Sequence, residues 1–297
     1  MKKHMIRDWN QGIQDFYIEL EGNSEKTKKL RQEVIGGNLR YAGFMKRQRE
    51  GASLISSKTI FADIPQSIQI KLKEIQNNLK VMGFEDKNDH FYHLDSGIIF
   101  NIVYDDTHKE IVLCFTGLKK EGVVDVDNIP GRNKDKLFVR RIISIATEHL
   151  GGIPLAATQA IEIGKMLKNV TENTGISPVI IGHSHGGSIA QCAAVANGLK
   201  GVVFNSRPMG AGTRRYIGQS TIAKNASKIT AFSGKDDWLS GIKALNALAV
   251  IFERVTGIPV PRTVGIGYHL PESTNGKGHS NYYNVMKKMD EMDNPLK

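Results

Sequence analysis

The segment that most constrains the fold of this chain is Val179–Ala194, with the sequence VIIGHSHGGSIAQCAA. Its first three residues have the composition of a buried strand, and the small apolar residues at its end are typical of a buried helix. Between them Ser184 is flanked by Gly182 and Gly186, each two positions away. A turn of this G-x-S-x-G type holds the serine hydroxyl exposed on strained backbone, and larger side chains at the glycines would collide with the strand and the helix. The segment therefore predicts a strand–turn–helix unit with Ser184 as a candidate nucleophile.

Strand and helix patterns alternate over most of the remaining chain. Residues 90–117 predict two or three strands joined by a polar turn, and residues 155–170 predict a helix. Two later strands are predicted at 201–206 and 229–234. This alternation predicts an α/β fold with a mostly parallel central sheet covered by helices. Active sites in such sheets lie at the carboxyl ends of the strands.

The first part of the chain differs from this pattern. It is polar and helical in its spacing, and we predict an N-terminal helical region, residues 1–88, that packs on or caps the domain formed by residues 89–297. Its clearest helix has apolar residues spaced for one face. These are Ile68, Leu72, Ile75, Leu79 and Met82.

Composition narrows the class of protein. The 297 residues carry a formal charge of +10, which favours anionic partners, but the basic residues are scattered and no RNA-binding or zinc-finger signature accompanies them. We therefore expect no nucleic-acid partner. No apolar run of transmembrane length or export signal is found, and Cys114 and Cys192 lie in apolar segments typical of reduced core cysteines. The expected compartment is the cytoplasm, unless a specialised secretion system delivers the protein.

A serine nucleophile needs a base and an acid that orients the base. In α/β-hydrolases the acid and then the histidine follow the serine along the chain. Asp236 and Asp237 follow the predicted strand at 229–234 and are both candidate acids. Of the two histidines after them, His279 lies in a glycine-rich loop and His269 in a strand-like segment. A loop histidine can reach over the sheet edge, so His279 is the preferred base and His269 the alternative.

Four further segments, together with the turn at Ser184, resemble the class 3 lipase family, which comprises the fungal-type triacylglycerol lipases and their bacterial relatives. They occur in the family's order and are KEIVLCFTGL, VVFNSRPMGAGTRRY, SGKDDWLS and GKGHSNYY. The resemblance covers roughly residues 105–286 and implies an α/β-hydrolase with lipase or phospholipase activity. It also implies that Asp237, rather than Asp236, is the catalytic acid.

The resemblance assigns an oxyanion hole to the backbone N–H groups of Leu118 and His185. The sequence departs from the family at Thr116, where the family has arginine, and at Leu118, where it has threonine or serine. A predicted apolar helix at 240–257 is also more apolar than the family pattern. These departures concern the substrate more than the chemistry.

The predicted activity is hydrolysis of lipid carboxylic esters, as by a lipase or phospholipase, through Ser184, His279 and Asp237 and an acyl-enzyme. No cofactor or metal is expected, because the histidines and cysteines lack the spacing of metal ligands. The alternatives are a small-ester carboxylesterase, a thioesterase, an acyltransferase, or a hydrolase fold that only binds a partner. All three triad residue types in the expected order argue against the binding module.

A basic, apolar helix is predicted at 134–150, where the family has its lid. Lys136, Arg140 and Arg141 stand among Leu137, Phe138, Ile142 and Ile145. We expect the three charges to form a stripe that favours peripheral contact with an anionic membrane. Ordinary packing of an amphipathic helix on the sheet is the alternative.

Overall fold

The computed structural model describes residues 18–49, 65–87, 90–117, 131–235, 237, 263–273 and 279–294. The strands are β1 Ile18–Glu19, β2 Glu85–Lys87, β3 His90–Tyr92, β4 Ile99–Asp105, β5 Glu110–Phe115, β6 Ser177–His183, β7 Lys200–Phe204, β8 Ile229–Gly234 and β9 Ile266–Leu270. The α-helices are α1 Glu25–Arg49, α2 Gln66–Val81, α3 Gly131–His149, α4 Leu155–Thr171, α5 His185–Asn197, α6 Ala211–Ile217, α7 Gln219–Asn225 and α8 Tyr282–Asp293.

Within these ranges one nine-stranded sheet has the order β1-β9-β8-β7-β6-β5-β4-β3-β2. Neighbours from β1 to β5 in this order are parallel, and those from β5 to β2 are antiparallel. Helices α3 and α4 connect β5 to β6, α5 connects β6 to β7, and α6 and α7 lie between β7 and β8. The predicted α/β fold with a mostly parallel sheet covered by helices is confirmed. No helix in the described ranges is long and apolar enough to span a membrane.

The core lies on both faces of this sheet because successive strand residues point to opposite sides. In β6, Ile180 belongs to the core on the face covered by α2, α4 and α5, whereas Val179 and Ile181 belong to the core on the face covered by α1 and α8. The central strands are therefore buried on both faces, as is usual for parallel sheets. Three layers result, and they fix the carboxyl ends of β6, β7 and β8 at one edge.

The N-terminal helices belong to these layers. Helix α2 buries Ile68, Leu72, Ile75 and Leu79, which confirms its predicted apolar face. Helix α1 packs on the other face beside α8, and a buried ion pair of 2.7 Å joins Arg31 to Asp293. The division at residues 88 and 89 stays a prediction, but the described part before it contributes core to both faces of the sheet.

Candidate active site

The turn at Ser184 is the strained point predicted from the sequence. Ser184 lies between the end of β6 and the start of α5, with φ 56° and ψ −123°. Positive φ is costly for a residue with a side chain and persists only where the surrounding structure imposes it. The turn places Ser184 directly before the N-terminus of α5, where free N–H groups and the helix dipole favour negative charge.

The flanking glycines are required by close packing. A Cβ atom at Gly182 would lie 2.3 Å from the carbonyl oxygen of Gly186, and one at Gly186 would lie 2.3 Å from that of Phe115. Gly117, beyond the end of β5, faces the turn, because a Cβ there would lie 2.9 Å from the Cβ of Ser184. The segment that leads to the predicted oxyanion loop therefore runs directly against the candidate nucleophile.

The structure brings together the predicted acid and base. The Nδ1 atom of His279 lies 2.7 Å from an Asp237 carboxylate oxygen, and Asp237 is 1% exposed. The N–H of Asp237 donates to the carbonyl oxygen of Gly234 at 3.1 Å. Because Gly234 ends β8, this bond fixes the backbone that leads from β8 to Asp237. The side chain of His279 is 23% exposed, so its ring remains accessible from solvent.

His279 also lies beside the residue that precedes Ser184. The His183 Nε2 atom lies 2.7 Å from the carbonyl oxygen of His279, and the two imidazole rings have their centroids 4.8 Å apart. Because a carbonyl only accepts, Nε2 of His183 carries the proton. The sequence analysis gave His183 no role, and the only sequence signal for it is its position next to Ser184.

The alternative base, His269, lies in a strand. His269 lies within β9, is fully buried, and pairs with Ser233 in the sheet register. Leu118, Asp236 and the predicted helix at 240–257 lie outside the described residues. Within the described ranges no group of three or more His, Cys, Asp or Glu side chains could hold a metal ion.

His185 is the first residue of α5, so its backbone N–H is one of the free donors at that helix end. Its ring is buried. Burial, and then the positive charges of Arg141 and Arg207, lower the pKa of His185 well below its usual value. The ring is therefore neutral at pH 7 and adds no positive charge of its own beside the nucleophile.

The prediction that Arg141 belongs to a charged surface stripe on the lid helix is wrong, because its side chain is buried. Its fully buried guanidinium donates to the carbonyl of Gly97 at 2.7 Å, the carbonyl of Gly117 at 2.8 Å and the hydroxyl of Thr116 at 2.6 Å. These bonds anchor α3 to the end of β5 and to the turn before β4. The prediction failed because Arg141 lies one position beyond Arg140, which turns it by about 100° around the helix axis.

Helix α3 has several polar residues on its buried face and several apolar residues on its exposed face. Its buried residues are Leu137, Arg141, Ser144 and Glu148, spaced for one face. Its exposed face carries Val139, Ile142 and Ile143, which are 52%, 45% and 47% exposed. On the same helix Lys136 and Arg140 are about half exposed and lie 3.1 Å and 3.9 Å from Asp95.

Glu148, on the buried face of α3, makes folding depend on pH. Its Oε2 atom lies 3.6 Å from Arg207, yet burial outweighs that charge and raises the pKa of Glu148 from 4.5 to about 7. The folded protein thus holds this proton more tightly than the unfolded chain, so the contribution to stability is full below pH 4.5 and falls as the pH rises to about 7.

We expect Glu148→Gln to remove this dependence. Between pH 5 and pH 8 the wild type should lose up to about 3 kcal/mol of unfolding free energy relative to the variant, at 1.36 kcal/mol per pKa unit. Urea denaturation at the two pH values measures it, with the exposed Glu162→Gln as the matched control. Parallel pH profiles for the wild type and Glu148→Gln would contradict the buried-carboxyl interpretation.

Residues 146–282, less than half of the chain, match a phospholipase-like family model described as a Tle-like phospholipase domain. This segment contains Ser184, Asp237 and His279. No curated protein matches the chain.

Among solved structures, the chain is similar to a triacylglycerol lipase from Penicillium expansum, with 13% identity, a TM-score of 0.30, and coverage of 71% of this chain and 79% of the lipase. A likeness at that TM-score carries no argument about geometry. The family match rests on the segment that contains the turn and the His279–Asp237 pair. Residues 146–282 are therefore similar to a Tle-like phospholipase domain, which confirms the lipase- and phospholipase-like character predicted from the sequence.

Proposed function

We propose that the protein is a serine hydrolase that cleaves carboxylic esters of lipids. The observation that carries this proposal is the 2.7 Å contact between His279 and the buried Asp237, formed next to the strained turn at Ser184. The match of residues 146–282 to a phospholipase-like family supports lipids as the substrate class.

In the proposed reaction the Ser184 hydroxyl attacks the ester carbonyl while His279 takes its proton. His279 then returns that proton to the leaving alcohol, which leaves the acyl group on Ser184. Water deprotonated by His279 releases the acid. Asp237 fixes the imidazole with Nδ1–H toward the carboxylate and stabilises its cation.

The tetrahedral oxyanion would be bound by backbone N–H groups. His185, at the first turn of α5, supplies one of them in this proposal, and Leu118 supplies the other. The packing of Gly117 against Ser184 supports the second donor, because it puts the chain just before Leu118 at the nucleophile. Loss of one such donor typically costs ~10²–10³ in rate.

The test is hydrolysis by the purified protein. We expect fatty acid release from phospholipid or triacylglycerol dispersions and covalent labelling by a fluorophosphonate, with the label blocking hydrolysis. Turnover of p-nitrophenyl acetate or an acyl thioester without lipid hydrolysis would favour the carboxylesterase or thioesterase, and acyl transfer to an added alcohol would favour the acyltransferase. Neither hydrolysis nor labelling would favour the non-catalytic binding module and overturn the proposal.

We further propose that the exposed face of α3 contacts an anionic membrane. Val139, Ile142 and Ile143 are exposed together on a helix that also presents Lys136 and Arg140. Apolar side chains beside basic ones suit the interface of an anionic bilayer. The buried Arg141 is excluded from this surface.

Lys136→Gln with Arg140→Gln should therefore weaken binding to anionic vesicles. Each charge near the surface contributes roughly 1 kcal/mol, and Asp95 offsets part of it, so we expect a loss of about tenfold in low salt and less in high salt. Co-sedimentation measures binding, with hydrolysis of a soluble ester as the activity control. The double change Lys26→Gln and Lys29→Gln on α1 is the matched charge control. Equal effects of the two double changes would contradict a contact specific to α3.

A further inference from the structure

Asn205 occupies a strained and buried position beside the candidate site. It directly follows β7, is 0% exposed, and has φ 42°, in the region that favours glycine. Its N–H donates to the carbonyl of Phe232 at 2.8 Å, which holds the backbone in the sheet edge. Asparagine tolerates positive φ better than most residues, but glycine would tolerate it better still. We therefore expect the side chain to make contacts that offset the cost of the strained backbone.

That side chain bridges two loops. Its Nδ2 atom donates to the carbonyl of His279 at 3.0 Å, and its Oδ1 atom accepts from the N–H of Gly234 at 2.8 Å. Gly234 ends β8, and its own carbonyl accepts from the N–H of Asp237. The buried amide of Asn205 thus connects the backbone of His279 to the backbone that leads to Asp237.

The carbonyl of His279 has a second donor in His183. Asn205 Nδ2 and His183 Nε2 approach the same oxygen, at 3.0 Å and 2.7 Å. His183 is the residue before Ser184, and its own backbone is fixed in β6. The position of His279 is thereby tied to β6 and β7, which are parallel neighbours in the sheet.

We propose that Asn205 is a positioning residue for the acid–base pair, which holds the His279 loop and the Asp237 loop at a fixed separation. This inference rests on the proposed function for its kinetic consequence. The side chains of Asp237 and His279 meet through one hydrogen bond, whereas Asn205 fixes the backbones of both loops. A misplacement of about 1 Å in such an arrangement typically costs ~10² in rate.

The test compares two variants that remove different parts of the bridge. Asn205→Gly removes both hydrogen bonds and relieves the positive φ. Asn205→Asp retains an acceptor for the Gly234 N–H but has no donor for the His279 carbonyl. We expect both to lower kcat for a soluble ester by ~10²-fold, with KM within about threefold of wild type.

The matched control is Asn225→Ala. Asn225 is also buried, and its Nδ2 atom donates to the carbonyl of Val195 at 2.8 Å, at the far end of α7. We expect this variant to lower Tm without lowering kcat. If Asn205→Gly and Asn205→Asp lower Tm in the same way and leave kcat at the wild-type level, Asn205 is merely structural and the inference is overturned.

A proton NMR measurement separates this inference from the proposed function. The proton between His279 Nδ1 and Asp237 should give a far-downfield resonance that Asp237→Asn removes. We expect Asn205→Gly to shift or broaden it and Asn225→Ala to leave it unchanged. If the wild type hydrolyses no ester, the proposed function fails, and this resonance still tests the positioning. An unchanged resonance in Asn205→Gly would overturn the inference even where the enzyme is active.

Discussion

Ser184→Ala should abolish covalent labelling by a fluorophosphonate and lower kcat for ester hydrolysis by ~10⁴-fold or more, since loss of a triad serine removes the covalent pathway. The expected residual rate comes from the oxyanion donors and substrate binding alone. The fold should persist, because alanine removes only a hydroxyl from the turn. Intact-protein mass spectrometry measures the label, and soluble-ester kinetics measure the rate.

Ser188→Ala is the matched control for this substitution. Ser188 lies four residues further along, in α5, is fully buried, and donates from its hydroxyl to the carbonyl of His185 at 2.8 Å. We expect it to retain the label. If Ser184→Ala were labelled at the wild-type rate, another residue would be the nucleophile and the proposed mechanism would be wrong.

The second large effect concerns the acid and the base. Asp237→Asn should lower kcat by ~10⁴-fold, because an amide at this position favours the wrong imidazole tautomer, and His279→Ala should lower it by at least ~10³-fold. The reason is the 2.7 Å contact between the His279 Nδ1 atom and the carboxylate of Asp237. The Asp237 side chain is itself buried. Steady-state kinetics with a soluble ester measure both effects.

The adjacent carboxylate and the other late histidine provide the controls. Asp236→Asn should cost far less than Asp237→Asn, and His269→Ala should leave the catalytic step largely intact once its effect on folding is accounted for. A greater loss from Asp236→Asn would show that the assignment is off by one residue. Loss of activity in His269→Ala but not in His279→Ala would show that the base is misassigned.

The sequence predicts the parts of this fold that depend on local patterns. The apolar face of α2 and the strand–turn–helix unit at Ser184 follow from residue spacing, and both are present in the structure. His279 is preferred over His269 because its sequence is typical of a loop, whereas that of His269 is typical of a strand. In the structure His279 lies against Asp237, and His269 lies inside β9. Chain order and local pattern led to these predictions, and the catalytic role of His279 stays a prediction.

Long-range pairing was not accessible in the same way. The pairing of β1 with β9 joins residues about 250 positions apart, and no local pattern specifies it. The inward direction of Arg141 was missed because its partners are the hydroxyl of Thr116 and backbone carbonyls, which leave no signature in a sequence. The contacts of Asn205 could not be predicted for the same reason, since its side chain binds backbone groups of distant loops.

The burial of Arg141 has an electrostatic consequence. Burial lowers its pKa to about 10, so the guanidinium is still charged at pH 7, and its three acceptors are neutral oxygens that cannot cancel that charge. The same cation helps to lower the pKa of His185, so its field extends to the residue after Ser184. Fields inside a protein are screened far less by dissolved salt than those at its surface. We therefore expect the charge of Arg141 to favour negative charge at the turn, with a weaker dependence on salt concentration than a surface charge would show.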